Sequence, residues 1–246
     1  MTLRALAKSC FISSLGLVLL GLSACTTNPQ SLEANDPLEP LNREIYGFNT
    51  TMDEVFFEPA SKTYVAVTPK VGREMVGNVM TTLNQPVVFA NTTLQGDFEG
   101  SLITLARFGM NATLGVAGLF DVATVAGLPE RHEDFGQTLG VWGVESGPYL
   151  MLPVFGPSNL RDTTGRFADR YAHPLKWNED EPASSTKIGI RVLNGIHQRA
   201  ELQDAIDSLD RTAIDPYVQL RTTYHQRRNM AITNGEDAYA DLPEFD

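Results

Sequence analysis

The chain has 246 residues, 30 Asp and Glu against 19 Lys and Arg, a formal net charge of −11 and two cysteines. That length suits one large domain or two small ones, either with a real core. The acidic balance argues against a nucleic-acid binder, which needs a basic patch to replace phosphate counterions. Two cysteines exclude a disulfide framework and a cysteine-only zinc site.

Arg4 and Lys8 open the chain with positive charge, and Cys10 to Leu22 then carries none. At ~1.5 Å rise per residue this run reaches about 20 Å, short of a ~30 Å hydrocarbon core. Residues 1–24 therefore read as a secretory leader and not as a span. The small residues in Leu22-Ser23-Ala24-Cys25 resemble the lipobox of bacterial lipoproteins. That resemblance implies cleavage before Cys25, a diacylglycerol on its sulfur and an acyl chain on the new amino group. Such chains anchor a protein at ~0.8 kcal/mol per buried CH2. No other cofactor and no metal is expected. Thr26 follows Cys25 in place of Asp, which by the same resemblance favours the outer membrane. Cleavage takes two of the 19 basic residues and none of the acids, so the mature chain is more acidic still. The polar stretch from Cys25 to Asn35 reads as the acylated terminus and a tether.

Asp36-Pro37-Leu38-Glu39 predicts a helix start: Asp36 as cap, Pro37 in the first turn, Glu39 completing a capping box. Leu38, Leu41, Ile45, Phe48, Met52 and Val55 then recur at helical steps, one apolar stripe that should stop near Glu58 because Pro59 follows. Thr68-Pro69 repeats the device, with Val71, Met75, Val79 and Leu83 leading up to Pro86. Thr186 to Leu209 is the cleanest long amphipathic pattern. Asp215-Pro216 opens a last helix, with Asn234-Gly235 as its stop. No alternation of period two is sustained. The spacing thus predicts a mainly α domain over residues 36–235 and an acidic, mobile tail over 236–246.

Two stretches are too apolar for simple surface helices. Ser101 to Leu128 carries only Arg107 and Asp121 as charges, and Leu139 to Gly156 carries only Glu145. Either they form an ordinary core, or part of this surface faces acyl chains. Gly143, Gly147, Pro148, Pro153 and Gly156 break the second stretch into what reads as a flexible helix-loop-helix turn.

No catalytic pattern is present. His132, His173, His197 and His225 have no second ligand at helical spacing, and there is no H-E-x-x-H, G-x-S-x-G or P-loop pattern. Arg131-His132-Glu133-Asp134 reads as a solvated charged loop. The chain is therefore not expected to be an enzyme.

Several short motifs, in order, resemble the MlaA (VacJ) family of lipoproteins. They are Asp36 to Arg43 with Phe48-Asn49, then Leu94-Gln95-Gly96-Asp97, then Arg107-Phe108 with Asn111 and Gly115. Gly118 to Ala123, Asp134 to Gly140, Gly147-Pro148-Tyr149, Leu152-Pro153 and Gly156-Pro157 follow, with Arg161-Asp162 and Asp169 behind. The resemblance implies a ring of amphipathic helices with a helical hairpin and a central amphipathic channel, embedded in the periplasmic leaflet of the outer membrane. It implies that phospholipids misplaced in the outer leaflet pass inward and reach a soluble periplasmic carrier (MlaC-like), that the protein sits beside a trimeric porin, and that lipid asymmetry is preserved. On this sequence Phe48 and Asn49 match the first-helix position near that channel. Gly143 and Gly147 match the loop joining the helical hairpin, and Asp162 and Asp169 match acidic positions of the ridge. Thr163 and Arg166 stand where some relatives carry further acids. Competing readings are a porin-bound scaffold lipoprotein without transport and a membrane-tethered lipid hydrolase. The second lacks a nucleophile motif.

Overall fold

Helices carry most of the chain in the computed structural model, which describes residues 26–176 and 182–235. The expected leader, Cys25 with its expected acylation, and the expected mobile tail over 236–246 lie outside the described residues. Helix α1 (Pro29–Glu33) is capped by Asn28, whose side chain accepts from the Gln30 N–H. Helix α2 (Glu39–Met52) follows, but Asp36 does not cap it. Leu38 holds the cap position without a side-chain hydrogen bond, and Pro40, not Pro37, occupies the first turn. Asp36 is fully buried and receives the Tyr217 O–H, Asn42 Nδ2 and Arg221 Nη1. A carboxylate with three side-chain donors, two of them on α11, is worth more there than at a solvated helix end.

Pro59 does not stop the helix either. A π-helical turn (Asp53–Phe57) leads α2 directly into α3 (Glu58–Val67), and Pro59 falls in the first turn of α3, where its missing N–H costs nothing. Helix α4 (Lys70–Gln95) likewise runs past Pro86 to Gly96, which ends it in the left-handed region at φ 83°. The ~3 kcal/mol that an interior proline costs is offset by burial of Thr82, Gln85, Val87, Val88, Asn91 and Thr92 around it.

Asp97 caps α5 (Phe98–Thr113) through the Gly100 N–H. A tight turn with Val116, Ala117 and Gly118 at positive φ leads to α6 (Val122–Val125), capped by Asp121. Asp134 caps α7 (Phe135–Val141). The Leu139–Gly156 stretch is not a helix-loop-helix turn. It is the end of α7, a loop, strand β1 (Tyr149–Leu152) and the turn into β2 (Gly156–Asn159), an antiparallel hairpin pairing Tyr149 with Asn159 and Leu152 with Gly156. Four-residue strands are too short to show an alternation in sequence. Asn159 caps α8 (Leu160–Ala172), a 3-10 turn covers Pro174–Lys176, and α9 (Pro182–Glu201), α10 (Gln203–Thr212) and α11 (Pro216–Ile232) complete the described chain. The single long pattern from Thr186 to Leu209 is thus two helices with a break at Leu202. Asp215 caps α11, and Asn234 and Gly235 end it at positive φ, as expected.

The elements close a circuit. α3 packs on α9, α9 on α4, α4 on α7 and α8, α7 on α11, and the hairpin joins α11 back to α2, which continues into α3. α5 pairs with α4 as an antiparallel helical hairpin on the outside of this circuit. The apolar core proper is small: Tyr149, Met151 and Tyr217, with Ile45, Tyr46 and Tyr224 packed against them.

Burial is reversed from that of a water-soluble bundle. On α5 the residues facing in are Ser101, Thr104, Arg107 and Asn111, while Phe98, Leu102, Leu105 and Phe108 are exposed. On α4, Asn91 and Thr92 face in and Phe89 and Leu94 face out. The α2 stripe is split: Asn42 is buried and Ile45 meets the core, but Leu41 and Phe48, with Val55 of the π turn, are exposed. The Ser101–Leu128 stretch therefore does not form an ordinary core.

Candidate functional site

Inside the circuit lies a cavity of about 1140 Å³, walled by α4, α8, α9 and the β1–β2 turn. It exceeds the ~300–1,000 Å³ typical of small-molecule pockets. Each wall has a local cause. α9 reaches α4 because Gly77 has no side chain: a Cβ there would stand 2.9 Å from His197 Nε2. His197 Nδ1 meets the Tyr64 hydroxyl of α3 at 3.3 Å, so one imidazole joins three helices. α8 lies hard against α7, because a Cβ on Gly165 would stand 2.3 Å from the backbone nitrogen of Gly136. The hairpin turn, which supplies Leu152, Pro153 and Phe155 to the lining, is held by Asn49. Its Nδ2 donates to the Leu152 carbonyl at 2.9 Å, and its Oδ1 accepts from the Val154 N–H at 2.7 Å.

The lining mixes Met80, Leu83, Val87, Phe167 and Ile190 with polar and charged groups. Among the described residues, Arg166, Arg170, Lys176 and Arg191 line it against Asp169 and Glu201, so the described walls are net cationic in a chain of net charge −11. Asp169 accepts from the Phe135 N–H and from Asn91 Nδ2, and burial raises its pKa above the ordinary value despite those donors. Burial, with Arg191 adding, lowers the pKa of His173, which favours a neutral ring.

The residues singled out from sequence separate. Asp169 lines the cavity; Phe48, Asn49, Asp162, Gly143 and Gly147 do not. Phe48 points outward, 49% exposed, and Asn49 acts behind the hairpin turn. Asp162 is buried on the far side of α8, where Tyr224 donates to it and Arg228 Nε stands 2.7 Å away. Gly143 and Gly147, at φ 85° and 66°, shape the loop between α7 and β1. That loop is tied at both ends: Asn35 Nδ2 donates to the Gly147 carbonyl at 2.6 Å, and Arg161 Nη1 donates to the Val144 carbonyl at 3.1 Å.

The Arg131–Asp134 cluster is not a solvated loop. Arg131 pairs with Asp97, and Asp134 pairs with Arg228. Glu133 is 7% exposed and receives Gln95, with burial raising its pKa. Only His132 is left exposed there, at the cavity wall. Sequence reading also missed the cationic lining. Arg166 and Arg170 share a helix face at i, i+4, but nothing local links them to Lys176 and Arg191. Among the described residues no group of His, Cys, Asp and Glu could hold a metal ion, and no helix is long and apolar enough to cross a membrane.

The model of the family described as MlaA lipoprotein matches residues 34–231, the whole described circuit from Asp36 to the end of α11. The chain belongs to the MlaA lipoprotein family. Among MlaA proteins, the intermembrane phospholipid transport system lipoprotein MlaA of Escherichia coli (strain K12) is 36% identical over 224 residues, 89% of this chain and 86% of that protein. The relative of the same name from Haemophilus influenzae is 29% identical over 227 residues, 89% of each chain. A solved chain from work on the structural basis for maintenance of bacterial outer membrane lipid asymmetry aligns with a TM-score of 0.71 at 35% identity. That alignment covers 80% of this chain and 98% of that one. The mainly helical MlaA fold expected from the sequence is thus the fold found.

Proposed function

We propose that the protein is a phospholipid-transport lipoprotein of the outer membrane, held in its periplasmic leaflet by acylated Cys25. In this reading phospholipids misplaced in the outer leaflet pass through the cavity to a soluble periplasmic carrier, with a trimeric porin as neighbour. The observation that carries it is the reversed burial of α5, with Arg107 and Asn111 inward and Leu102, Leu105 and Phe108 outward, beside a large cavity of mixed polarity. In water such an apolar face would be a liability. In acyl chains it is the matching surface, and the backbone of each helix is satisfied internally. A lipid crossing between leaflets needs a polar path for its headgroup, because a charged group enters hydrocarbon only at a cost of several kcal/mol. The family resemblance to a named transport system supports the same reading. No covalent step is required of any side chain.

The test is outer-leaflet phospholipid in cells lacking the protein, read by accessibility to an exogenous phospholipase. The expected result is a rise that the wild-type chain reverses and Cys25→Ala does not. No rise, with porin abundance disturbed instead, would replace transport by a scaffold role. Free fatty acid released by the purified protein would replace it by hydrolysis.

A further inference from the structure

We propose that Arg166, Arg170, Lys176 and Arg191 receive the phosphodiester of a lipid headgroup in the cavity, and that this lining favours net-anionic phospholipids over zwitterionic ones. The inference rests on the transport reading and names the substrate class of the same site. A chain with net charge −11 repels anions over most of its surface. Among the described residues four cations face one cavity against two carboxylates, which inverts that field locally. Elsewhere Arg107, Arg161, Arg199, Arg221 and Arg228 are each tied to a carboxylate. Among the described residues, none of the four cavity cations has a carboxylate within ion-pair distance. Lys176 Nζ instead stands 3.3 Å over the Tyr171 ring, and the Arg166 contact to the Pro157 carbonyl is long, at 3.4 Å.

Of the two carboxylates, Asp169 is already occupied by the Phe135 N–H and Asn91. A zwitterionic headgroup brings its own cation, and among the described residues Glu201 is the one remaining acid of the lining to meet it. A headgroup with no cation avoids that mismatch. Guanidinium groups suit a phosphate because they offer paired donors in a plane. Arg166 and Arg170 stand one turn apart on α8, and Arg191 faces them from α9, so the cations come from two walls.

The test uses the full acylated chain in non-ionic micelles and acyl-labelled phosphatidylglycerol, phosphatidylcholine and diacylglycerol with identical chains. Phosphatidylglycerol is expected to bind about tenfold tighter than phosphatidylcholine, with the preference shrinking at high salt. R170Q/R191Q should bring the ratio close to unity, and R170K/R191K should keep most of it. Equal binding of the two phospholipids by the wild type, or a ratio unmoved in R170Q/R191Q, overturns the proposal while leaving transport intact. Inorganic phosphate displacing the lipid at micromolar concentration would assign the cations to free phosphate instead. Phospholipids binding no better than diacylglycerol would bring down the transport reading itself. Should R170Q/R191Q lose its thermal transition, the wild-type ratio and its salt dependence decide.

Discussion

At the scale of single residues, this protein is held by buried charge more than by buried hydrocarbon. Asp36 has no exposed surface, and Arg221, Tyr217 and Asn42 converge on it. The contact joins the segment just before α2 to α11, nearly the whole domain apart in sequence. Asp36→Asn removes the charge and leaves Arg221 with Glu39 at 3.5 Å. The expected loss is about 3–5 kcal/mol, read as a lowered unfolding midpoint in micelles. Glu39→Gln should cost clearly less, since Asp36 still pairs with Arg221. A second buried pair gives a pH signature. Burial opposes ionisation of Asp121, but Thr124, Asn111 and Arg107 outweigh it and hold its pKa at about 2, under the ordinary 3.8. The stability it contributes is complete above pH 3.8 and is lost as the pH falls toward 2. Asp121→Asn should flatten that part of the stability–pH curve, in a melting series between pH 5 and 2.

At the scale of elements, glycines and prolines mark where tertiary packing overrides local preference. The Gly136–Gly165 crossing lets α7 and α8 meet backbone to backbone. Gly165→Ala places a methyl 2.3 Å from the Gly136 nitrogen, and two backbones have no rotamer with which to relieve it. The expected destabilisation is at least about 1–3 kcal/mol, with the far-ultraviolet signal otherwise kept. Gly77→Ala meets only the tip of His197, which can turn aside. A smaller loss of stability is expected, together with a displaced α9 and so altered lipid binding at the cavity. Pro86 inside α4 shows the converse: a helix continues through a breaker when buried neighbours outweigh the lost hydrogen bond.

At the scale of the whole molecule, polar groups are concentrated inside and large apolar side chains outside. In hydrocarbon the apolar surface is already solvated, so association is driven by packing and hydrogen bonds instead of by the hydrophobic effect. In the proposed reading an acyl anchor on Cys25 would then be one of two membrane attachments. A Cys25→Ala chain, once exported, is expected to remain partly with the membrane fraction. Adding L102D/L105D to it should release the protein to the soluble fraction with its helical signal intact. Retention unchanged by the two aspartates would show that α5 does not contact lipid.

The amino-acid sequence by itself determined what depends on local order. The α class, the Asp215-Pro216 start and the Asn234-Gly235 stop are written in neighbouring residues, and the family follows from ordered motifs. Helix periodicity was equally legible, but not which face of each helix points inward: an apolar stripe is the same pattern whether it meets a core or a lipid. Only the tertiary structure decided that, by setting Asn42 against Asp36 and the hairpin backbone, and Arg107 and Asn111 against Asp121. It likewise moved Asp36 from a cap to a buried anchor, put Asp162 behind α8, and gathered Arg166, Arg170, Lys176 and Arg191 around one cavity. Those assignments join residues tens to hundreds of positions apart. Their energies come from partners that no local window contains.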